Sequence, residues 1–204
     1  ERVMLKGKVV CDGQTIGSRF YAEIEGERLF DADVPSSLSV QKFYFTKDGK
    51  QVYLIRFNPT EGIKNAARDG KERKNDLYDI INFRNKIIGS ICERTDHALI
   101  SPCNYGEIKY GPTMYEGYVM NTPEGMKVFI IEQDTGRQVA LGEKTTEGYE
   151  LYGLSEIALK VISIFIVVGE VKTKHKHAMV SFEPKRVTKN KKILSKYQAD
   201  FKQI

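Results

Sequence analysis

The sequence predicts a mainly β (α+β) fold: a closed antiparallel β-barrel of short strands enclosing a central hydrophobic helix at about 156–168, with a basic C-terminal extension. Three observations predict it. Ile157–Val168, IALKVISIFIVV, has ten apolar residues in twelve, broken only by Lys160 and Ser163. Much of the rest reads as short alternating segments separated by turn residues. Charge is also divided unevenly. Residues 171–204 hold ten Lys/Arg against Glu183 and Asp200, a net +8, while the first 170 hold 22 Lys/Arg against 25 Asp/Glu, a net −3.

The apolar stretch sets the architecture. A helix that is apolar all round must be buried on every side. Twelve residues span roughly 18 Å, well short of the ~20 residues of a bilayer crossing. Ser155 is the expected N-cap, Glu156 suits the positive end of the helix dipole, and Gly169 is the expected end, with Lys172 just beyond. The β-branched run Val161, Ile162, Ile164, Ile166, Val167 and Val168 also suits a buried strand. Length and the end signals select the helix.

Taken in order, residues 3–30 alternate loosely, with Gly13, Gly17 and Gly26 as breaks, and read as short strands. Pro35-Ser36-Ser37 is a loop. Phe43–Ile55 reads as a hairpin, with Asp48-Gly49 supplying the positive φ angles of its turn. Tyr78–Ile91 and Lys127–Leu141 repeat that plan. The polar segment Thr60–Asp76 is expected to be a loop, because both of its flanks carry the same kind of hairpin. Ala98-Leu99-Ile100, Gly106–Tyr110, Glu116–Met120 and Tyr149–Tyr152 are further strand candidates. Ala178–Phe182 is expected to be a strand stopped by Pro184, and Ile193–Ile204 a small amphipathic helix with Ile193, Leu194, Tyr197 and Phe201 on one side. Many alternating strands must cover an apolar face. Closing the sheet around the helix does so and leaves no exposed edge. The expected organisation is a barrel over 1–170, with a polar loop at about 60–76, and a basic segment at 171–204 packed on or extending from it.

That order of elements resembles the Tubby C-terminal-like superfamily, which includes the LURP-one-related proteins, phospholipid scramblases and small bacterial homologues; the resemblance implies a bacterial-type member. The local likeness is Tyr78-Asp79-Ile80 followed by Asn85-Lys86-Ile87-Ile88-Gly89-Ser90-Ile91, similar to a hairpin of that group. Val128–Leu141 resembles a second such hairpin, and Ile157–Val168 the enclosed helix. The resemblance implies a twelve-stranded barrel around a hydrophobic helix. Two departures stand out. About 35 residues follow the helix here, and no counterpart of the basic phosphoinositide pocket of Tubby proteins is found, so headgroup binding is not carried to particular residues.

Chemistry is sparse. Thr95-Asp96-His97 sets a carboxylate beside an imidazole, but adjacent strand residues face opposite ways, and neither Cys92 nor Cys103 is tied to His97 by spacing. His175-Lys176-His177 is read as part of a solvated basic segment, since Lys174 and Lys176 would repel a divalent cation. No phosphate-cradling, dinucleotide or zinc-protease motif occurs. The expectation is no catalytic residue, no metal and no cofactor. Cys11, Cys92 and Cys103 are expected to be free thiols, with a Cys92–Cys103 bridge the alternative for an exported protein. No leader-like stretch opens the chain at Glu1-Arg2, and a processed start is expected. The expected location is cytoplasmic, peripheral at a membrane.

The basic tail is the one feature with a functional cast. Lys172, Lys174, Lys176, Lys185, Arg186, Lys189, Lys191 and Lys192 are the candidate lipid- or phosphate-binding residues, interleaved with Phe182 and Tyr197. Such a run suits an anionic lipid surface or nucleic-acid phosphates. Nine Lys to one Arg disfavours base reading. The leading expectation is a non-enzymatic binding or scaffold domain associating with anionic phospholipid, with a protein partner also expected. A nucleic-acid-associated protein is the second reading, and an enzyme with a site assembled from distant residues the third.

Overall fold

The structure, a computed structural model of the chain, describes residues 3–12, 18–34, 41–68, 76–96, 102–175, 178 and 180–204. The expected loop Pro35-Ser36-Ser37 and strand Ala98-Leu99-Ile100 lie outside the described residues.

Twelve strands form: β1 (Leu5–Asp12), β2 (Ser18–Ile24), β3 (Glu27–Val34), β4 (Lys42–Lys47), β5 (Lys50–Phe57), β6 (Leu77–Asn82), β7 (Ile87–Asp96), β8 (Cys103–Tyr110), β9 (Thr113–Thr122), β10 (Gly125–Glu132), β11 (Arg137–Lys144) and β12 (Gly148–Gly153). Each pairs antiparallel with its sequence neighbours, and β1 closes the barrel on β12 through Leu5↔Gly153 to Val10↔Gly148. The tight turns are as their chemistry requires: Asp48 and Gly49 both take positive φ between β4 and β5. Helix α1 (Pro59–Arg68) stands where a loop is expected. Asn58 caps it, its side-chain oxygen accepting from the Glu61 N–H.

The long helix α2 (Glu156–Lys174) runs through the barrel. Ser155 caps it by accepting from the Ala158 N–H. Leu159, Ile162, Ile166 and Val167 are wholly inaccessible to solvent. The two polar residues of the apolar stretch are satisfied locally. Ser163 Oγ donates to the Leu159 carbonyl, and Lys160 pairs with Glu156 one turn back. Gly106 and Gly117, partners across β8 and β9, leave the space that the Phe165 ring fills; a Cβ on either would lie 2.5 Å from a ring carbon.

Gly169 does not end the helix, which continues to Lys174. Its missing side chain instead seats Phe182, whose Cε2 would lie 2.0 Å from any Cβ there. Because successive strands alternate in direction, the turns alternate between the barrel's two ends. The β4–β5, β6–β7, β8–β9 and β10–β11 turns share one end with the start of α2, here the entry end. The last residues of β7, the first of β8, and the β9–β10 and β11–β12 turns share the exit end with its last turn.

Candidate functional site

Beyond α2 the chain is bound closely to the barrel. Ala178–Phe182 is not a strand among the described residues. Its backbone donors go to side chains instead, Val180 N to Glu93 Oε1 at 3.4 Å and Phe182 N to Thr173 Oγ1 at 3.0 Å. Residues 185–190 then cross the exit end. Lys185 N donates to Asn121 Oδ1, Thr188 and Asn121 exchange two bonds, and Asn190 Nδ2 donates to the Pro102 carbonyl.

Helix α3 (Lys191–Lys196), capped by Asn190, and a 3₁₀ turn (Phe201–Gln203) lead down the outside of the barrel. They form two short pieces, not one amphipathic helix. Ile193 and Phe201 are buried against Tyr118, Met120, Phe129, Ile131 and Leu141, which β9, β10 and β11 turn outward. Tyr197 packs on Phe129 at 5.4 Å, whereas Leu194 stays exposed. This C-terminal strap covers a second apolar layer outside the barrel wall.

Charge fixes the strap further. Lys192 pairs with Asp96, Lys196 with Glu116 at 3.2 Å and Lys202 with Glu143 at 2.6 Å. Burial works against the charge on Glu143, but the Lys202 and Lys127 ammonium groups outweigh it and hold that carboxyl below its ordinary value. At the exit end Lys172, 5% exposed, lies 3.0 Å from Glu93 and 3.3 Å from Asp76. Part of the basic tail read from the sequence is therefore paired with acids of the body.

The candidate lipid-binding residues accordingly divide. Lys172 belongs to the barrel's interior charge network and Lys192 to the strap's anchoring, each with a carboxylate in ion-pair contact. Lys176 lies outside the described residues, as do His97 and His177. Lys174 is exposed at the end of α2. Lys185, Arg186, Lys189 and Lys191 are exposed, and among the described residues no carboxylate lies within ion-pair distance of them. Val187 and Leu194, in the same stretch of chain, are 47% and 44% exposed, and exposed Glu183 precedes it. Phe182 is buried in the core, and Tyr197 is half-buried on the barrel wall.

A cleft of about 440 Å³ opens beside the strap, lined in part by Cys11, Phe20, Lys144, Glu170 and Lys174. Lys144 Nζ donates to Glu170 at 2.8 Å, and buried Tyr149 donates to the same carboxylate. Burial, with Glu170 beside it and Lys144 opposing, pushes the Cys11 thiol up to about 12. Burial and Glu170 likewise raise Tyr149. Both groups are thus held protonated, and Cys11 offers no thiolate nucleophile near neutral pH. Neither Cys92 nor Cys103 is in a disulfide. Cys103 pairs in register with Asp96, four residues along β7 from Cys92, about 13 Å away and beyond disulfide reach.

Among the described residues, no group of three or more His, Cys, Asp or Glu is placed to hold a metal ion, and no helix is long and apolar enough to cross a membrane. The fold and this surface define a helix-filled, twelve-stranded antiparallel barrel with a cationic strap. No protein-family model, curated protein or solved structure matches the chain.

Proposed function

We propose that this protein is a binding or scaffold domain that associates peripherally with anionic lipid surfaces through residues 185–191 of the strap. The observation that carries the reading is the segregation of charge. The cations that hold the strap down have carboxylate partners, while Lys185, Arg186, Lys189 and Lys191, without one among the described residues, flank exposed Val187 in the segment that crosses one end of the barrel. Each basic group near an anionic membrane contributes about 1 kcal/mol, so four give weak, salt-sensitive attachment. The proposed location is cytoplasmic, at such a surface.

The nucleic-acid reading is the weaker one. Base stacking needs open aromatic faces, and the strap's Phe182 and Tyr197 are engaged against Phe165 and Phe129. Kinship with the Tubby C-terminal-like group is part of the same proposal, supported by the strand count and the enclosed helix. Co-sedimentation with phosphatidylserine-containing and neutral vesicles tests the lipid reading. Pelleting with the anionic vesicles alone, reversed by salt, is expected; equal behaviour with both kinds refutes it.

A further inference from the structure

The opposite, entry end of the barrel carries a second feature that folding does not explain. The β6–β7 hairpin closes over Asn82-Phe83-Arg84-Asn85-Lys86. Asn82 Oδ1 accepts from the N–H groups of both Arg84 and Lys86 at 3.0 Å, Asn85 takes φ 58°, and the Asn82 N–H donates to the Lys86 carbonyl. The turn is built by its asparagines and leaves Phe83 no part in it.

Phe83 is nevertheless 68% exposed and Ile87 59%. A single exposed apolar side chain is ordinary; two on one rigid tip among cations are a pattern. The Arg84 guanidinium lies 5.3 Å from the Phe83 ring centroid. The adjoining β4–β5 turn adds exposed Lys47 and Lys50 through the β5–β6 register Tyr53↔Asn82. Lys47, Lys50, Arg84 and Lys86 have no carboxylate within ion-pair distance among the described residues, and Asp48 is the one acid of the two turns. An apolar apex with cations beside it is complementary to a bilayer, whose apolar interior lies beneath anionic headgroups.

We propose that the β6–β7 tip is a second lipid contact, which inserts Phe83 into an anionic bilayer at the barrel end opposite the strap. It rests on the lipid reading above for its choice of surface. The contact differs in kind from the strap's, which is mainly electrostatic: the tip enters the bilayer, and its cations hold it at the headgroups. A molecule with lipid contacts at both ends is suited to join two surfaces.

The chain contains no Trp, so Phe83→Trp and Val187→Trp, made separately in the full chain, each install a sole tryptophan, excited selectively over the tyrosines, at one end. With phosphatidylserine-containing vesicles in excess, Phe83→Trp emission is expected to shift to the blue and to become shielded from an aqueous quencher. The shift is expected to persist when Lys185, Arg186, Lys189 and Lys191 are all replaced by Ala. Arg84→Ala and Lys86→Ala are each expected to weaken that contact about fivefold. Thermal unfolding of each variant, matched to the native chain, establishes that the fold is retained. A shift in Val187→Trp with none in Phe83→Trp overturns the tip contact and leaves the strap reading standing. An equal Phe83→Trp shift on neutral vesicles overturns the anionic assignment. If the native chain and both reporters ignore vesicles altogether, the strap reading and the tip contact fall together.

Discussion

Lys172 Nζ lies 3.0 Å from Glu93 Oε2, with both side chains less than a tenth exposed, and this contact joins the last turn of the enclosed helix to the barrel wall. Glu93 also accepts from the Val180 N–H, so the same carboxylate turns the chain back into the strap. Removing one partner of a buried pair leaves the other uncompensated, at a cost of about 3–5 kcal/mol. Lys172→Met is therefore expected to lower the denaturant midpoint strongly, and Lys172→Met with Glu93→Gln to recover part of the loss. Unchanged stability in the single variant would show that the pair is not formed.

Gly169→Ala tests the seat of Phe182. Alanine is ordinarily the better helix residue by about 1 kcal/mol, so an unconstrained site would be stabilised. Here the added Cβ meets the Phe182 ring, and overpacking of this kind costs about 1–3 kcal/mol. Thermal unfolding is expected to show a lower midpoint, partly restored by Phe182→Leu.

Phe201, 1% exposed at the far end of the strap, tests whether the C-terminal segment belongs to the fold. Phe201→Ala is expected to destabilise the whole protein by about 3 kcal/mol in a single unfolding transition. A freely hanging tail predicts no change.

Acid is expected to loosen the strap. The Glu143 carboxyl is held below its ordinary value of 4.5 in the folded chain. The stabilisation it contributes is thus full above that value and is lost as pH falls through the lower folded one. Both partners are partly exposed, so the effect is below about 1 kcal/mol. Glu143→Gln is expected to lower stability by up to that amount near neutral pH and to leave the acid end little altered, so that the acid limb of a stability-against-pH curve is flatter. An unchanged acid limb would remove the Lys202–Glu143 pair from the account.

How much of this was legible follows element by element. Ile157–Val168 reads as an enclosed helix because its apolar residues leave no polar face, and Asp48-Gly49 reads as a turn because few pairs accept two positive φ angles. The helix runs past Gly169 because the reason for that glycine lies thirteen residues later, in Phe182. Ala178–Phe182 alternates as a strand does, yet its donors are met by Glu93 and Thr173, which local pattern does not reveal. Thr60–Asp76 is polar enough to read as a loop, and α1 forms there under the Asn58 cap. The outer apolar layer did leave a signal. Val128-Phe129-Ile130-Ile131 is continuous where one-sided burial would alternate, so both faces of β10 had to be covered. The division of the basic tail into anchoring and open cations was not legible, because it depends on which barrel acids lie beneath each lysine.

The central claim is that the open cations meet lipid while the paired ones hold the strap. Vesicle co-sedimentation and thermal unfolding of two variants test it together: Lys185, Arg186, Lys189 and Lys191 all changed to Ala, and Lys192, Lys196 and Lys202 all changed to Ala. The first is expected to lose most binding at unchanged stability, and the second to lose stability. If the first variant pellets with anionic vesicles as the native chain does, the account of the strap is contradicted.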